Sequence, residues 1–281
     1  MNAIISAKEL AGELAGEQPP VLLDIRWEMG ATSRRPDYDA GHIPGAVYLD
    51  LETELTGPKG TGRGCRHPLP DPEAFGAAMR RAGVRADRGV VVYDGGLGWG
   101  AARVWWLLSW TGHPSVRVLD GGLPAWTAQG GAVTAEVPVV PEGDFVPEPG
   151  ARPLLIDADG AAALARRGVL LDARAGERYR GEVEPLDPVA GHIPGARSAP
   201  TTENVTADGL FRPAGELAER FAALGAVPDA EVGVYCGSGV SGAHEALALA
   251  VAGVPAVLYA GSWSEWTADP SRPVATGPQP G

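Results

Sequence analysis

Val232-Gly233-Val234-Tyr235-Cys236-Gly237-Ser238-Gly239-Val240-Ser241-Gly242-Ala243-His244-Glu245 runs from a short apolar stretch through a cysteine into a glycine-rich loop. From Ala246 the chain turns apolar again as far as Val251. Four residues of this kind before a loop predict a buried strand over Val232–Tyr235, and residues 243–252 predict a helix. A cysteine at the mouth of a strand–loop–helix turn sits where backbone N–H groups and the positive end of the helix dipole converge. Both favour thiolate over thiol, and the thiolate is the nucleophile. Gly237, Gly239 and Gly242 are expected to supply the positive φ values and close backbone approach that such a cradle needs. Taken alone, the residue is equally readable as a buried structural cysteine.

The surroundings of this stretch occur twice. Gly-His-Ile-Pro-Gly-Ala stands at 41–46 and again at 191–196, each time after an apolar strand ending in acid-x-Arg: Asp24-Ile25-Arg26 and Asp172-Ala173-Arg174. Val90-Val91-Val92-Tyr93-Asp94 parallels Val232 to Cys236, and Asp120-Gly121-Gly122 leading to Trp126 parallels Ala260-Gly261-Ser262 leading to Trp266. Four elements recurring in one order describe a duplicated domain. The proline-spaced stretch from Val137 to Gly150 reads as an extended connector, with a boundary near residue 145: residues 1–145, then 146–281. Strands at 21–24, 90–94 and 116–119 alternate with helices at 72–82 and 101–111, which predicts an α/β fold with parallel strands and crossover helices. Ligands of such sheets bind beyond the carboxyl ends of the strands. Cys236 is there, and Asp94 takes its place in the first copy.

Composition agrees with two domains. The chain has 281 residues, 44% of them hydrophobic, against the usual prior of roughly 150 residues per domain. A net charge of −12 argues against nucleic acid as a partner. Two cysteines make no disulfide framework and point to a reducing cytoplasm. Ser6-Ala7-Lys8-Glu9 predicts a capping box opening a helix rather than a secretory leader. No apolar stretch approaches the ~20 residues needed to span a bilayer, so a soluble cytoplasmic protein without membrane partners is expected.

The two acid-x-Arg…Gly-His-Ile-Pro-Gly-Ala units, the Asp120-Gly121-Gly122 turn and the Cys236-Gly-Ser-Gly-Val-Ser loop resemble the tandem rhodanese-domain sulfurtransferases over nearly the whole chain. The resemblance implies two tandem rhodanese-like domains, each a parallel sheet flanked by helices on both faces. It implies a first domain that is catalytically silent and a Cys236 that takes a sulfane sulfur as a persulfide. The sulfur would pass to a thiophilic acceptor: cyanide, a small thiol or a thioredoxin-like protein. No cofactor or metal is implied. Thiosulfate-specific members carry basic residues directly after the cysteine; Gly237 and Ser238 here are similar to the loop of 3-mercaptopyruvate sulfurtransferases, with Ser241 where threonine is usual. In that subclass a loop serine, a histidine and an acid relay protons, which maps onto Ser238, His67 in Arg66-His67-Pro68-Leu69-Pro70, and Glu52. A departing pyruvate enolate must be protonated, and histidine suits that work near neutral pH.

The same resemblance gives a substrate-binding set of Arg178, Gly237, Gly239, Val240 and Ser241 for a small anionic donor. Arg178 would grip the donor carboxylate with its planar fork. A second arginine is expected after Glu184-Pro185, where this chain has Leu186-Asp187; Arg180 is the nearby substitute, with a solvated surface role as its competing reading. His42 and His192 occur in both copies and are read as turn-forming, and Asp24 and Asp172 as ties for the loops that follow them. Cys65 is read as an idle thiol and, as the alternative, a redox partner of Cys236. Trp105, Trp106 and Trp110 lie at helical spacing and read as core; Trp263 and Trp266 are candidates for a donor-pocket wall. A cysteine phosphatase would need an arginine six or seven residues past the cysteine, where Gly242 and Ala243 stand. The readings left open are a thiosulfate:cyanide sulfurtransferase and a non-catalytic sulfur-carrier or binding module.

Overall fold

The structure is a computed structural model that describes residues 2–31, 33–60 and 64–281. Two compact units divide the chain. One comprises Met1–Gly57, Leu69–Arg152 and Ala207–Leu210; the other comprises Pro58–Pro68, Pro153–Thr206 and Phe211–Gly281. The sequence suggests a single boundary near residue 145. The units change over at Arg152 instead, and each contains a short segment from the other half of the chain. A repeat in sequence marks the duplicated cores and is blind to where their connecting arms pack.

The first unit holds strands β1 (Ile4–Ile5), β2 (Val21–Asp24), β3 (Val47–Tyr48), β4 (Val90–Tyr93) and β5 (Val116–Leu119) in the order β1-β5-β4-β2-β3. Its helices are α1 (Ala7–Leu14), α2 (Arg35–Ala40), α3 (Leu51–Glu54), α4 (Pro72–Arg81), α5 (Trp99–Trp110) and α6 (Gly122–Ala128). The second unit repeats the sheet as β6 (Leu155–Ile156), β7 (Val169–Asp172), β8 (Arg197–Ser198), β9 (Val232–Tyr235) and β10 (Val257–Tyr259), ordered β6-β10-β9-β7-β8. Its helices are α7 (Ala158–Arg167), α8 (Gly176–Tyr179), α9 (Ala214–Ala223), α10 (Val240–Val251) and α11 (Ser262–Ala268). Every strand pair is parallel. β4 and β9 are central and buried along their whole length, as strands covered on both faces must be. A Cβ at Gly233 would fall 2.4 Å from Leu164 Cδ2, so glycine there lets α7 lie close against β9. The expected capping box closes α1: Ser6 Oγ accepts from Glu9 N at 3.2 Å, and Glu9 returns the bond to Ser6 N at 3.0 Å. No helix among the described residues is long and apolar enough to cross a membrane.

The repeated hexapeptide is a clamp. His42 Nδ1 bonds the Tyr38 carbonyl at 2.8 Å while the rings stack 3.8 Å apart; His192 and Tyr179 repeat both distances. Tyr93 Oη accepts from Ile43 N, and Tyr235 Oη from Ile193 N, each at 3.1 Å. Asp172 accepts the Arg174 N–H at 3.0 Å and its Nε at 2.9 Å, and Arg26 Nε donates to Asp24 at 3.2 Å. These four residues thus fix the segments after β2 and β7. Trp106 and Trp110 stack 5.6 Å apart on α5.

Behind the Cys236 loop, α10 buries two titratable side chains. Glu245 accepts from Asn204 Nδ2 at 2.6 Å and from Arg220 Nη1 at 3.4 Å, and burial raises its carboxyl to about 7 against the pull of Arg220. His244 Nδ1 meets Thr201 Oγ1 at 2.7 Å, and burial lowers its pKa to about 3. A carboxyl raised on folding stabilises the fold below its unfolded pKa and loses that contribution as pH climbs through the folded value. A lowered histidine does the reverse, so the two oppose each other in the acid range. Glu245→Gln should therefore gain on the parent by up to about 3 kcal/mol between pH 4.5 and 8. Urea unfolding at both pH values measures this, and a constant difference would contradict it.

Candidate active site

Cys236 follows β9 directly, and α10 begins at Val240, three residues ahead of the start expected from sequence. The loop is only Gly237, Ser238 and Gly239. Of the three glycines expected to adopt positive φ, Gly239 alone does so, at φ 84°; it is the N-cap of α10. Its N–H points at Cys236 Sγ, 3.0 Å away. The other two are glycine for reasons of space. A Cβ at Gly242, inside the helix, would lie 3.0 Å from Leu258 Cδ1 and 3.4 Å from Sγ, and one at Gly237 would lie 2.7 Å from Arg66 Nη2. The sulfur thus faces a donor and a helix N-terminus, with room kept open beside it. Val240 is buried in the first turn of α10, and Ser241 follows it, partly exposed.

A residue that the sequence reading passed over holds the cysteine from behind. Ser262 Oγ accepts the Cys236 N–H at 3.1 Å, donates to the Tyr259 carbonyl at 2.9 Å and lies 3.9 Å from Sγ. Ser262 has φ 57°, the one positive φ among described non-glycine residues. Its counterpart in the first copy, Gly122, has the same φ of 57°. A serine where the duplicate needs glycine tolerates backbone strain in exchange for a hydroxyl, and that mismatch was visible in the sequence. The next two N–H groups of α11 close on the loop, Trp263 N to Cys236 O at 2.9 Å and Ser264 N to Gly237 O at 3.0 Å.

Ser238 and His67 meet, as the family resemblance implies: Oγ and Nδ1 are 2.7 Å apart, and both side chains are buried. The preceding Arg66 is anchored by Ser264 Oγ, which accepts its N–H at 3.2 Å. Glu52 lies in the first unit near the start of α3, where its carboxylate accepts from Trp27 Nε1 at 2.7 Å. Cys65 is in no disulfide, and its Sγ lies 3.8 Å from the Ala260 carbonyl.

Arg178 leaves α8 into a cluster of acids. Glu184 takes its Nη2 at 2.6 Å and its Nε at 3.2 Å, and Asp187 Oδ2 is 3.3 Å from Nη2. Asp187, at the place of the expected second arginine, also pairs through Oδ1 with Arg66. Two guanidinium groups therefore converge beside Gly237, since a Cβ there would have Arg66 Nη2 at 2.7 Å and Arg178 Nη1 at 3.6 Å. Arg180 does not join them; it pairs with Glu182 at the surface at 2.8 Å. Of Trp263 and Trp266, the latter lines a pocket with Ile193, Pro194 and Pro273, none of them in the Cys236 loop. Both are buried in the core of the second unit, and Arg174 packs over the Trp263 ring at 4.5 Å.

The first unit shows the same junction with a carboxyl group built in. Asp94 Oδ1 accepts the N–H groups of Gly96 at 2.8 Å and Gly98 at 2.9 Å. Burial raises its carboxyl, and these N–H bonds work against that rise. Its loop spans 95–98, one residue more than 237–239. No group of histidine, cysteine and acidic residues able to hold a metal occurs among the described residues.

A doubled parallel sheet with a cysteine in one N–H cradle and a carboxylate in the other defines the class, and comparison with known proteins agrees. The rhodanese-like domain model matches residues 6–129 and 157–269. The chain is 48% identical, over 98% of both chains, to a probable 3-mercaptopyruvate sulfurtransferase of Pseudomonas aeruginosa. It is 44% identical, again over 98% of both, to the putative thiosulfate sulfurtransferase SseB of Mycobacterium tuberculosis. The crystal structure of the 3-mercaptopyruvate sulfotransferase SseA from Escherichia coli superposes with a TM-score of 0.81 at 33% identity, covering 94% of this chain and 99% of that one. The chain belongs to the rhodanese-like domain family.

Ser262→Ala should leave the buried Cys236 N–H without its acceptor. The expected loss is about 1–3 kcal/mol of stability, measured by denaturant unfolding at neutral pH. Unchanged stability would show that the hydroxyl does not hold the loop.

Proposed function

We propose that the protein is a sulfurtransferase that carries sulfur as a persulfide on Cys236, with 3-mercaptopyruvate as its preferred donor. The observation that carries this reading is the pairing, on one three-residue loop, of a sulfur facing the Gly239 N–H with a Ser238–His67 couple 2.7 Å long. The Cys236 thiolate attacks the donor sulfur and a new S–S bond forms. The C–S bond breaks, and its electron pair leaves with carbon as the enolate of pyruvate. The donor's thiol proton is then carried to C3 of the enolate, giving pyruvate and the Cys236 persulfide anion. No net proton is taken up, so a hydroxyl–imidazole pair able to accept and return one proton is what the step requires. Backbone N–H groups facing the sulfur stabilise the negative charge as it moves outward, as an oxyanion hole does. An acceptor thiolate or cyanide next attacks the outer sulfur, releasing a persulfide or thiocyanate and restoring the Cys236 thiolate.

The relatives' names divide between mercaptopyruvate and thiosulfate. The loop favours the former: Gly237 and Ser238 offer no positive charge to a dianion, whereas Arg178 suits a single carboxylate. The first unit takes no sulfur in this reading, because Asp94 fills its own cradle. Glu52 keeps only the relay role that the resemblance gives it. Two cysteines without a disulfide suit a reducing cytoplasm. The sulfur-carrier reading differs in needing no proton relay, and the Ser238–His67 pair speaks for turnover.

After treatment with 3-mercaptopyruvate, mass spectrometry should find one added sulfur on the peptide carrying Cys236, and Cys236→Ser should abolish transfer. Turnover by that variant, or sulfur on Cys65 instead, would sink the mechanism. His67→Ala should lower kcat/KM for 3-mercaptopyruvate by about 10²-fold and affect thiosulfate much less, because sulfite leaves without protonation at carbon. Equal losses for the two donors would remove His67 from the proton step. Arg178→Lys should weaken 3-mercaptopyruvate use more than thiosulfate use, since an ammonium cannot reproduce the bidentate fork.

A further inference from the structure

Six charged side chains alternate in sign behind the loop: Asp172, Arg174, Glu184, Arg178, Asp187 and Arg66, each paired with the next. The two acids that touch Arg178 are held differently. Glu184 is fixed from several sides, by Arg174 at 3.3 Å, by Arg178, and by the N–H groups of Leu186 at 3.1 Å and Asp187 at 3.2 Å. Those bonds outweigh its burial and lower its pKa. It is a structural brace that aims the guanidinium. Among the described residues, the Asp187 carboxylate rests on the two arginines, one on each oxygen. It is 3% exposed, and burial raises its carboxyl in spite of Arg66.

Both arginines also reach the space beside Gly237, the residue following the nucleophile. A carboxylate bridging two guanidinium groups at that point is where a sulfur donor would place its own carboxylate in order to reach Cys236. Resting on the sulfurtransferase reading, we infer that Arg66 is the second donor-binding arginine of this chain and that Asp187 is a resident carboxylate which the donor displaces from the pair. Exchange of one carboxylate for another leaves the local charge balanced. A dianion in the same place adds a negative charge that the two arginines do not neutralise while Asp187 stays nearby. The aspartate therefore lowers affinity for all donors and discriminates against doubly charged ones. The arginine expected after Glu184-Pro185 is replaced by one from the 58–68 segment, and the vacated position carries the displaceable counter-ion.

The test separates this inference from the reaction. Pyruvate, which has the carboxylate and no sulfur to transfer, is titrated calorimetrically into the full-length parent, Asp187→Asn and Arg66→Gln. Asp187→Asn should bind pyruvate about tenfold more tightly and Arg66→Gln about tenfold more weakly, the scale of one charge-assisted contact. Sulfate, used as the dianion probe, should gain more than pyruvate from Asp187→Asn. Pyruvate affinity that is unchanged or weaker in Asp187→Asn would make Asp187 a structural brace like Glu184. Should Asp187→Asn fail to fold, Arg66→Gln decides, because Arg66 is partly exposed: unaltered pyruvate affinity there overturns the inference. Sulfur loading of Cys236 in the parent is followed in parallel. Its absence would sink the sulfurtransferase reading, while the pyruvate affinities would still report on the arginine pair.

Discussion

The organisation of both sheets serves one contact, a loop N–H aimed at an acceptor atom beyond the carboxyl end of the central strand. In the second unit that atom is Cys236 Sγ, 3.0 Å from Gly239 N; in the first it is Asp94 Oδ1, 2.8 Å from Gly96 N. The duplication is an internal control. When the cysteine is absent the loop N–H groups still converge on a side-chain acceptor, so that convergence belongs to the strand–loop–helix junction and not to sulfur. Other constraints follow from keeping that junction open and still. Gly242 leaves room for Leu258 and Sγ, Ser262 takes the Cys236 N–H, and α11 caps two loop carbonyls with its own N–H groups.

Burying so many charges near the junction is stable only because they alternate. Arg174 is enclosed between Asp172 and Glu184, with aromatic rings of Tyr235 and Trp263 beneath it. Removing one member of such a chain strands its neighbour in a low-dielectric site, which costs more than the pair contributes. The far end of the chain is different, because Arg66 is partly exposed and Asp187 is held, among the described residues, by the two arginines. Enclosure thus falls off toward the Arg66 end of the chain of charges.

Much of this was legible in sequence because it depends on periodicity and on exact repetition. The Val-rich strands, the capping box at Ser6, the twin hexapeptides and the cysteine at a strand end were all read correctly. Elements decided by space were not. Gly242 looks like a loop residue in a string of glycines, yet it is helical, and its missing Cβ makes room first for Leu258, whose Cδ1 a Cβ would meet at 3.0 Å. Trp263 looks like a pocket wall because it follows the last strand, but Arg174 needs a buried aromatic face to lie on. Arg66 is hidden beside the more conspicuous His67, and nothing in its spacing says that it reaches a residue 121 positions away. Asp187 reads as a lost arginine until its partners are known.

The two short segments that change units give the two junctions different surroundings. Pro58–Pro68 lies between α3 and α4 of the first copy; Ala207–Leu210 lies at the matching point of the second, ahead of α9. In the first unit, Gly209 approaches the Asp94 loop, where a Cβ would meet Gly96 O at 3.2 Å, and Leu210 fills the space at Gly121. That arm brings backbone and a leucine to a cradle whose carboxyl group is already present. In the second unit the corresponding arm brings Arg66 to Gly237 and His67 to Ser238. A cationic fork and an imidazole are what an incoming anion and a mobile proton require. The arms thus set the two duplicated junctions apart: one is lined by backbone and a leucine around a resident carboxyl group, the other by a guanidinium and an imidazole beside a cysteine.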